Sequence, residues 1–215
     1  MVQLTQTAIL STAYLPNVRY ISKLLLHKQS VIDIYETYQK QSYRNRCTIY
    51  GANGPQQLTI PVIKTNGNHT LCKDILIEYE TNWQHVHWMA IVSAYGHSPF
   101  FEIFEDELAH LFEKKEKFLI DFNLKILRQI QESMGTDFNI GFSQHFIMPA
   151  DESYDFRNSI HPKERLNKPD KYFKPVNYFQ VFSEKFGHQP NLSFIDLMFN
   201  EGPQAIDICR QMCWL

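Results

Sequence analysis

Residues 9–46 constrain the fold more than any other part of this 215-residue chain. The stretch follows Ala8 with Ile9-Leu10, an apolar run that passes into the polar turn Ser11-Thr12-Ala13-Tyr14-Leu15-Pro16. Residues 17–27 then carry Val18, Ile21 and Leu25 at helical spacing, with Leu24 on the face of Ile21. Pro16 is a start signal, because a proline's missing N–H costs nothing at a helix entry. Val31-Ile32-Asp33-Ile34-Tyr35 reads as a second strand. A strand–turn–helix–strand unit of this length predicts two adjacent parallel strands joined by a right-handed crossover. Ligands of such sheets sit beyond the carboxyl ends of the strands, which is where the 11–16 turn lies.

The rest of the chain alternates β-prone and helical runs. Residues 47–50 and 58–62 flank a Gly/Asn/Pro turn and predict a hairpin. Residues 75–79 predict a strand, and 138–143 another. Residues 83–95 carry Val86, Met89, Ala90 and Ser93 at helical spacing; Phe101, Phe104, Leu108 and Leu111 mark the next helix. Leu119, Phe122, Ile126 and Ile130 form the strongest helical stripe, ended by Gly135. Ser193 with Asp196 three residues on suggests a capping box, and Gly202-Pro203 opens a last helix. The expected architecture is α/β, a mixed sheet flanked by helices in a single domain over 1–215, with α+β as the alternative because two long helices run in succession. Residues 148–175 interrupt it with a long polar loop, a length that in a compact chain is either functional or disordered.

Composition excludes several classes. Charged residues at 20% and hydrophobic ones at 44% describe a globular chain, and a net charge of −2 gives no general field for nucleic acid. No apolar run approaches bilayer length and no signal peptide precedes Ile9, so the expectation is a cytoplasmic protein without a membrane span. Cys47, Cys72, Cys209 and Cys213 form no CxxC, and no metal-ligand spacing is present. No motif names a cofactor, which stays unknown.

Several blocks in order carry a resemblance: Tyr14-Leu15-Pro16, Tyr20-Ile21-Ser22-Lys23, Asn45-Arg46, Leu58-Thr59-Ile60-Pro61-Val62, Trp83 with Tyr95 and Pro99-Phe100-Phe101, and residues 193–202. Together they resemble the WbqC-like family over nearly the whole chain. The resemblance implies a place in surface-polysaccharide assembly, such as that of O antigen. The chain departs from the family pattern at Ser11-Thr12, at Asn17 and at Arg19, where Gln-Pro, Trp and Gly are common.

The candidate site follows from position and residue type. Ser11, Thr12 and Tyr14 lie in the strand-end turn. Arg44 and Arg46 alternate around Asn45, so on a strand they face one side, suited to a phosphate or carboxylate. Asp155, Arg157, His161 and Lys163 form a compact polar group in the loop. His161 beside cations is a candidate general base, with Asp155 as its carboxylate partner; Arg157 and Lys163 are candidate anion contacts. The alternative is that these are charged residues of a solvated loop. Cys47 beside Arg46 reads as a packed thiol. His85 and His87, two apart, fall on opposite sides of a helix and do not make a metal face.

Two functions are therefore expected. One is a transferase acting on an activated sugar, acyl or aminoacyl donor, with the loop folded over the 11–16 turn to exclude water. The other is a non-catalytic protein binding an anionic metabolite or a pathway partner. Both call for a small anionic or sugar-nucleotide-like ligand, and an oligomer is compatible with either.

Overall fold

The first strand has apolar side chains facing both ways, and it is covered on both faces. The computed structural model describes residues 4–151 and 154–214. β1 (Ala8–Leu10) is wholly buried, α1 (Val18–Leu26) follows the turn, and β2 (Ser30–Ile32) lies parallel to β1, with Ala8 opposite Ser30 and Leu10 opposite Ile32. β2 is shorter than expected. Asp33 N–H still donates to Leu10 C=O, but the Asp33 carboxylate accepts Tyr35 N–H at 3.1 Å and turns the chain away. Asn17, rather than Pro16, caps α1: its side chain accepts Tyr20 N–H at 2.8 Å. All nine residues of α1 are buried, Arg19 and Lys23 included.

β3 (Arg46–Gly51) and β4 (Gly54–Thr59) form the expected hairpin. β5 (Val62–Ile63) pairs antiparallel with β6 (Leu76–Ile77). The strand expected over 75–79 is thus only two residues long, since past Ile77 the chain leaves the pair in an exposed turn at Glu80. α2 (Trp83–Tyr95), α3 (Phe101–Ala109) and α4 (Leu119–Ser133) pack behind. The α4 stripe is buried as expected. The α2 face is not the expected one: Val86 and Met89 are 60% and 48% exposed, while Trp83, His87, Ile91 and Tyr95 are buried. Apolar residues occur all round α2, so periodicity does not choose a face. Polar pairing does: His87 Nδ1 meets Tyr14 OH at 2.9 Å, and Tyr95 OH accepts Tyr50 N–H at 3.0 Å.

β7 (Ile140–Phe142) pairs parallel with β2, giving the order β1–β2–β7. On the far side of β1, Ile9 N–H donates to Tyr154 C=O and Phe156 N–H to Ile9 C=O, each at 2.8 Å. The polar 148–175 segment therefore enters the sheet as one more rung at Asp155. Residues 152–153 of it lie outside the described residues. Phe156 and Ile160 anchor it in the main core. The class is α/β, with the parallel and antiparallel pairings in separate sheets rather than in one mixed sheet.

α5 (Ser183–Phe186), α6 (Phe194–Glu201) and α7 (Ala205–Gln211) complete the chain. The start of α6 holds the 11–16 turn: Ser193 Oγ donates to Leu15 C=O at 2.9 Å and Phe194 N–H to Pro16 C=O at 2.8 Å. These bonds keep Leu15 at a φ of 39°, a region non-glycine residues rarely occupy. Gly202 ends α6 at a φ of 57°, where a Cβ would stand 2.4 Å from the Phe100 ring.

The expected capping box is absent. Ser193 spends its hydroxyl on Leu15, and the Asp196 carboxylate turns inward to accept Tyr178 OH at 2.6 Å and Gln180 Nε2–H at 3.1 Å. Burial pushes the Asp196 carboxyl up to about 6 against those hydrogen bonds. Its folded-state pKa exceeds the unfolded one, so this stability is full in acid and is lost as pH rises through about 6. Asp196→Asn removes that loss. Relative to the parent, the variant should gain on the order of 3 kcal/mol between about pH 4 and pH 7, read from urea unfolding at each pH. A pH-independent difference would contradict the assignment.

Candidate functional site

The carboxyl ends of the three parallel strands bring Ser11-Thr12, Asp33 and Ser143 together. Asp33 is fully buried. It accepts Ser143 Oγ–H at 2.8 Å, Ile147 N–H at 3.3 Å and Arg157 Nη1–H at 2.6 Å. Arg157 continues to Asp155, through Nε at 2.9 Å and Nη2 at 2.6 Å, and its Nη1 also donates to Ile147 C=O at 2.7 Å. Hydrogen bonding to Asp155 raises the Arg157 pKa despite burial. Burial alone would raise the Asp155 carboxyl; bonds from Arg157 and from Ala150 N–H bring it below its ordinary value. Arg157, expected as an anion contact, and Asp155, expected as the carboxylate partner of His161, are held by each other, and Arg157 also by Asp33. They form a clamp that fixes the 148–175 segment across the sheet end.

The neighbouring candidates are also saturated. Arg44 is 2% exposed and bidentate to Glu36, at 2.9 Å and 2.6 Å. Asn123 Nδ2 donates to Thr12 Oγ1 at 2.9 Å and to Arg44 C=O at 2.8 Å. Ser11 Oγ donates to Arg157 C=O at 3.3 Å. The loop does cross the 11–16 turn, but the cavity between Ser11, Thr12, Arg44 and Arg157 measures about 10 Å³, room for one water-sized sphere. Tyr14 has no exposed surface; burial raises its pKa, and its ring packs on Phe122. It is a core residue rather than a ligand contact. Its partner His87 is pushed down to about 4 by burial, so the ring is neutral. His85 is exposed on the opposite side of α2. Cys47 is buried and its thiol pushed up, which removes thiolate character.

Arg46, His161 and Lys163 differ. Arg46 is half-buried: Nη1 donates to Gln57 at 2.9 Å, and Nε has no partner among the described residues. Lys163 Nζ meets Gln41. His161 is 7% exposed, and its Nδ1 accepts Lys163 N–H at 3.0 Å. A donor there assigns the neutral ring's proton to Nε2. Burial lowers the His161 pKa, and Arg44, Lys163 and Arg46 lower it further. With Nδ1 occupied and Nε2 protonated, His161 is a hydrogen-bond donor rather than the expected general base. Two side-chain cations and a neutral donor thus gather beside the clamp, where Glu36 is already paired with Arg44.

Asp33, Glu36 and Asn123 were not among the sequence candidates. Asp33 had one readable signal, an acid at the carboxyl end of an apolar strand. Glu36 and Asn123 had none, since their partners lie 8 and 79 residues away. Among the described residues no group of three or more His, Cys, Asp or Glu is placed to hold a metal ion, and no helix is long and apolar enough to cross a membrane.

Fold and site define an α/β protein whose parallel sheet ends under a buried ion-pair clamp, next to a half-buried cationic face. A model of the WbqC-like protein family matches residues 12–165, and the chain belongs to that family. It is 24% identical over 233 residues to a Mycobacterium tuberculosis (strain ATCC 25618 / H37Rv) protein described as uncharacterized protein Rv1507c, covering 96% of this chain and 99% of that one. No solved structure matches the chain.

Removing one partner of a buried ion pair strands the other charge. Arg157→Ala should therefore cost about 3–5 kcal/mol in denaturant unfolding. A cost under about 1 kcal/mol, the range of exposed pairs, would contradict the clamp.

Proposed function

We propose that this WbqC-like protein binds a small anionic ligand of the sugar-nucleotide class at the Arg46–His161–Lys163 face, in surface-glycan assembly. The observation that carries the reading is electrostatic. Burial lowers the His161 pKa and the charges of Arg44, Lys163 and Arg46 lower it further, and Arg46 Nε is buried without a partner among the described residues. A phosphate oxygen accepting from Arg46 Nε and His161 Nε2 would satisfy both and screen the cations from one another. The glycan context comes from the family resemblance and not from any residue in the site.

A transferase reading has one observation in its favour. The same donors would stabilise charge that develops on a departing diphosphate, and they are already in place before reaction. The two candidate bases are engaged: Asp155 is held by Arg157 and His161 Nδ1 by Lys163. Recognition is therefore the reading the geometry supports best, and a transfer step would draw its base from the ligand or its acceptor.

A thermal-shift screen across sugar nucleotides, acyl-CoAs and aminoacyl donors tests this. A sugar nucleotide at about a hundred times its dissociation constant should add roughly 2.7 kcal/mol of stability. Arg46→Gln should remove that gain while leaving unliganded stability nearly unchanged. Stabilisation that survives Arg46→Gln, or confined to donors without phosphate, would overturn the reading.

A further inference from the structure

α1 carries two buried cations one turn apart. Arg19 is 4% exposed and Lys23 0%. Both reach the same oxygen: Lys23 Nζ lies 2.6 Å from Asp170 Oδ2, and Arg19 Nε donates to it at 2.9 Å. The other oxygen, Oδ1, accepts Tyr172 N–H at 3.0 Å. Among the described residues neither cation has a second carboxylate. Asn167 Oδ1 accepts from Arg19 Nη1 at 2.8 Å, and the Phe156 and Phe173 rings lie 5.1 Å and 5.8 Å from Lys23 Nζ. Two buried positive charges share one negative charge, a stoichiometry that buried ion pairs avoid.

The excess charge borders an opening. A cavity of about 340 Å³ lies beside Arg19; its charged lining is Arg19, Lys168 and Lys171 against Asp151 and Asp170, with Phe156, Ser159 and Tyr172 alongside. Ser159 is 5% exposed, and its Oγ has no hydrogen-bond partner among the described residues. Ser159 C=O accepts Lys168 N–H at 3.0 Å, which fixes the backbone carrying that hydroxyl. An unpaired buried donor and an unbalanced buried charge thus face one pocket, and each is a separate reason for an anion to sit there.

We propose that this pocket binds a phosphate-bearing small molecule, its anionic group between the Arg19 guanidinium and the Ser159 hydroxyl and its remainder against Tyr172 and Phe156. The pocket shares no lining residue with the Arg46 face and does not depend on it. The two are linked through Asn167, whose Oδ1 also accepts His161 N–H at 3.4 Å.

The test is a titration of the ¹⁵N-labelled full chain with inorganic phosphate and, separately, with a nucleoside monophosphate, following the Ser159 and Lys171 amides. Movement with phosphate alone marks a free-anion site. Tighter binding of the nucleotide marks a site for the larger ligand; either outcome supports the pocket. Ser159→Ala, which removes one hydroxyl with no partner to strand, should weaken binding about tenfold. Lys171→Glu, on the surface, should weaken it further. Amides that stay still with both probes would overturn the proposal, as would unchanged affinity in Ser159→Ala. If Ser159→Ala fails to fold, Lys171→Glu decides by the same criterion.

Discussion

The contact between Arg157 and Asp33 is the one on which the rest of the structure depends. It is a 2.6 Å ion pair with both partners 4% exposed or less. Arg157 reaches it from a segment too polar to build a core, and Asp33 from the end of the central parallel strand. Taking both charges out of water is unfavourable, and their attraction compensates only because the other hydrogen-bonding atoms are used. Asp155 takes two guanidinium nitrogens, and Ser143, Tyr35 and Ile147 donate to Asp33. A loop that would otherwise be solvated becomes a rung of the sheet, and the sheet end closes.

Charge balance distinguishes two buried clusters that look alike in composition. At the clamp two carboxylates surround one guanidinium, and backbone N–H groups and a hydroxyl supply the remaining donors. At α1 two cations surround one carboxylate, and a cavity lies alongside. The first arrangement is complete and serves the fold. The second is incomplete, and so is the half-buried face of Arg46. The ligand recognition proposed above falls where pairing is unfinished.

Much of the fold was legible because period and punctuation agree with it. The 9–46 unit, the hairpin and the α4 stripe each follow from one local pattern. What failed to read had distant causes. The buried face of α2 is chosen by Tyr14 and Tyr50, and Asp196 is drawn from the cap of α6 by Tyr178 and Gln180. The candidate site was half legible. Residue type and strand-end position brought Ser11, Thr12, Arg44, Asp155 and Arg157 to one place, as the structure has them. Sequence carries no record of which charges neutralise one another, so saturated arginines read the same as open ones. Arg19 and Lys23 were hidden differently, since the spacing of Val18, Ile21, Leu24 and Leu25 records only the apolar face of their helix.

Native-state hydrogen exchange at Phe156 tests the central claim most directly. If the clamp makes the 148–175 segment part of the sheet, the Phe156 amide, bonded to Ile9 C=O at 2.8 Å, should exchange only through the global opening that releases the Asp33 amide. The two should then share one opening free energy and one dependence on denaturant. A Phe156 amide that exchanges by a separate, lower-energy opening while Asp33 stays protected would contradict the account.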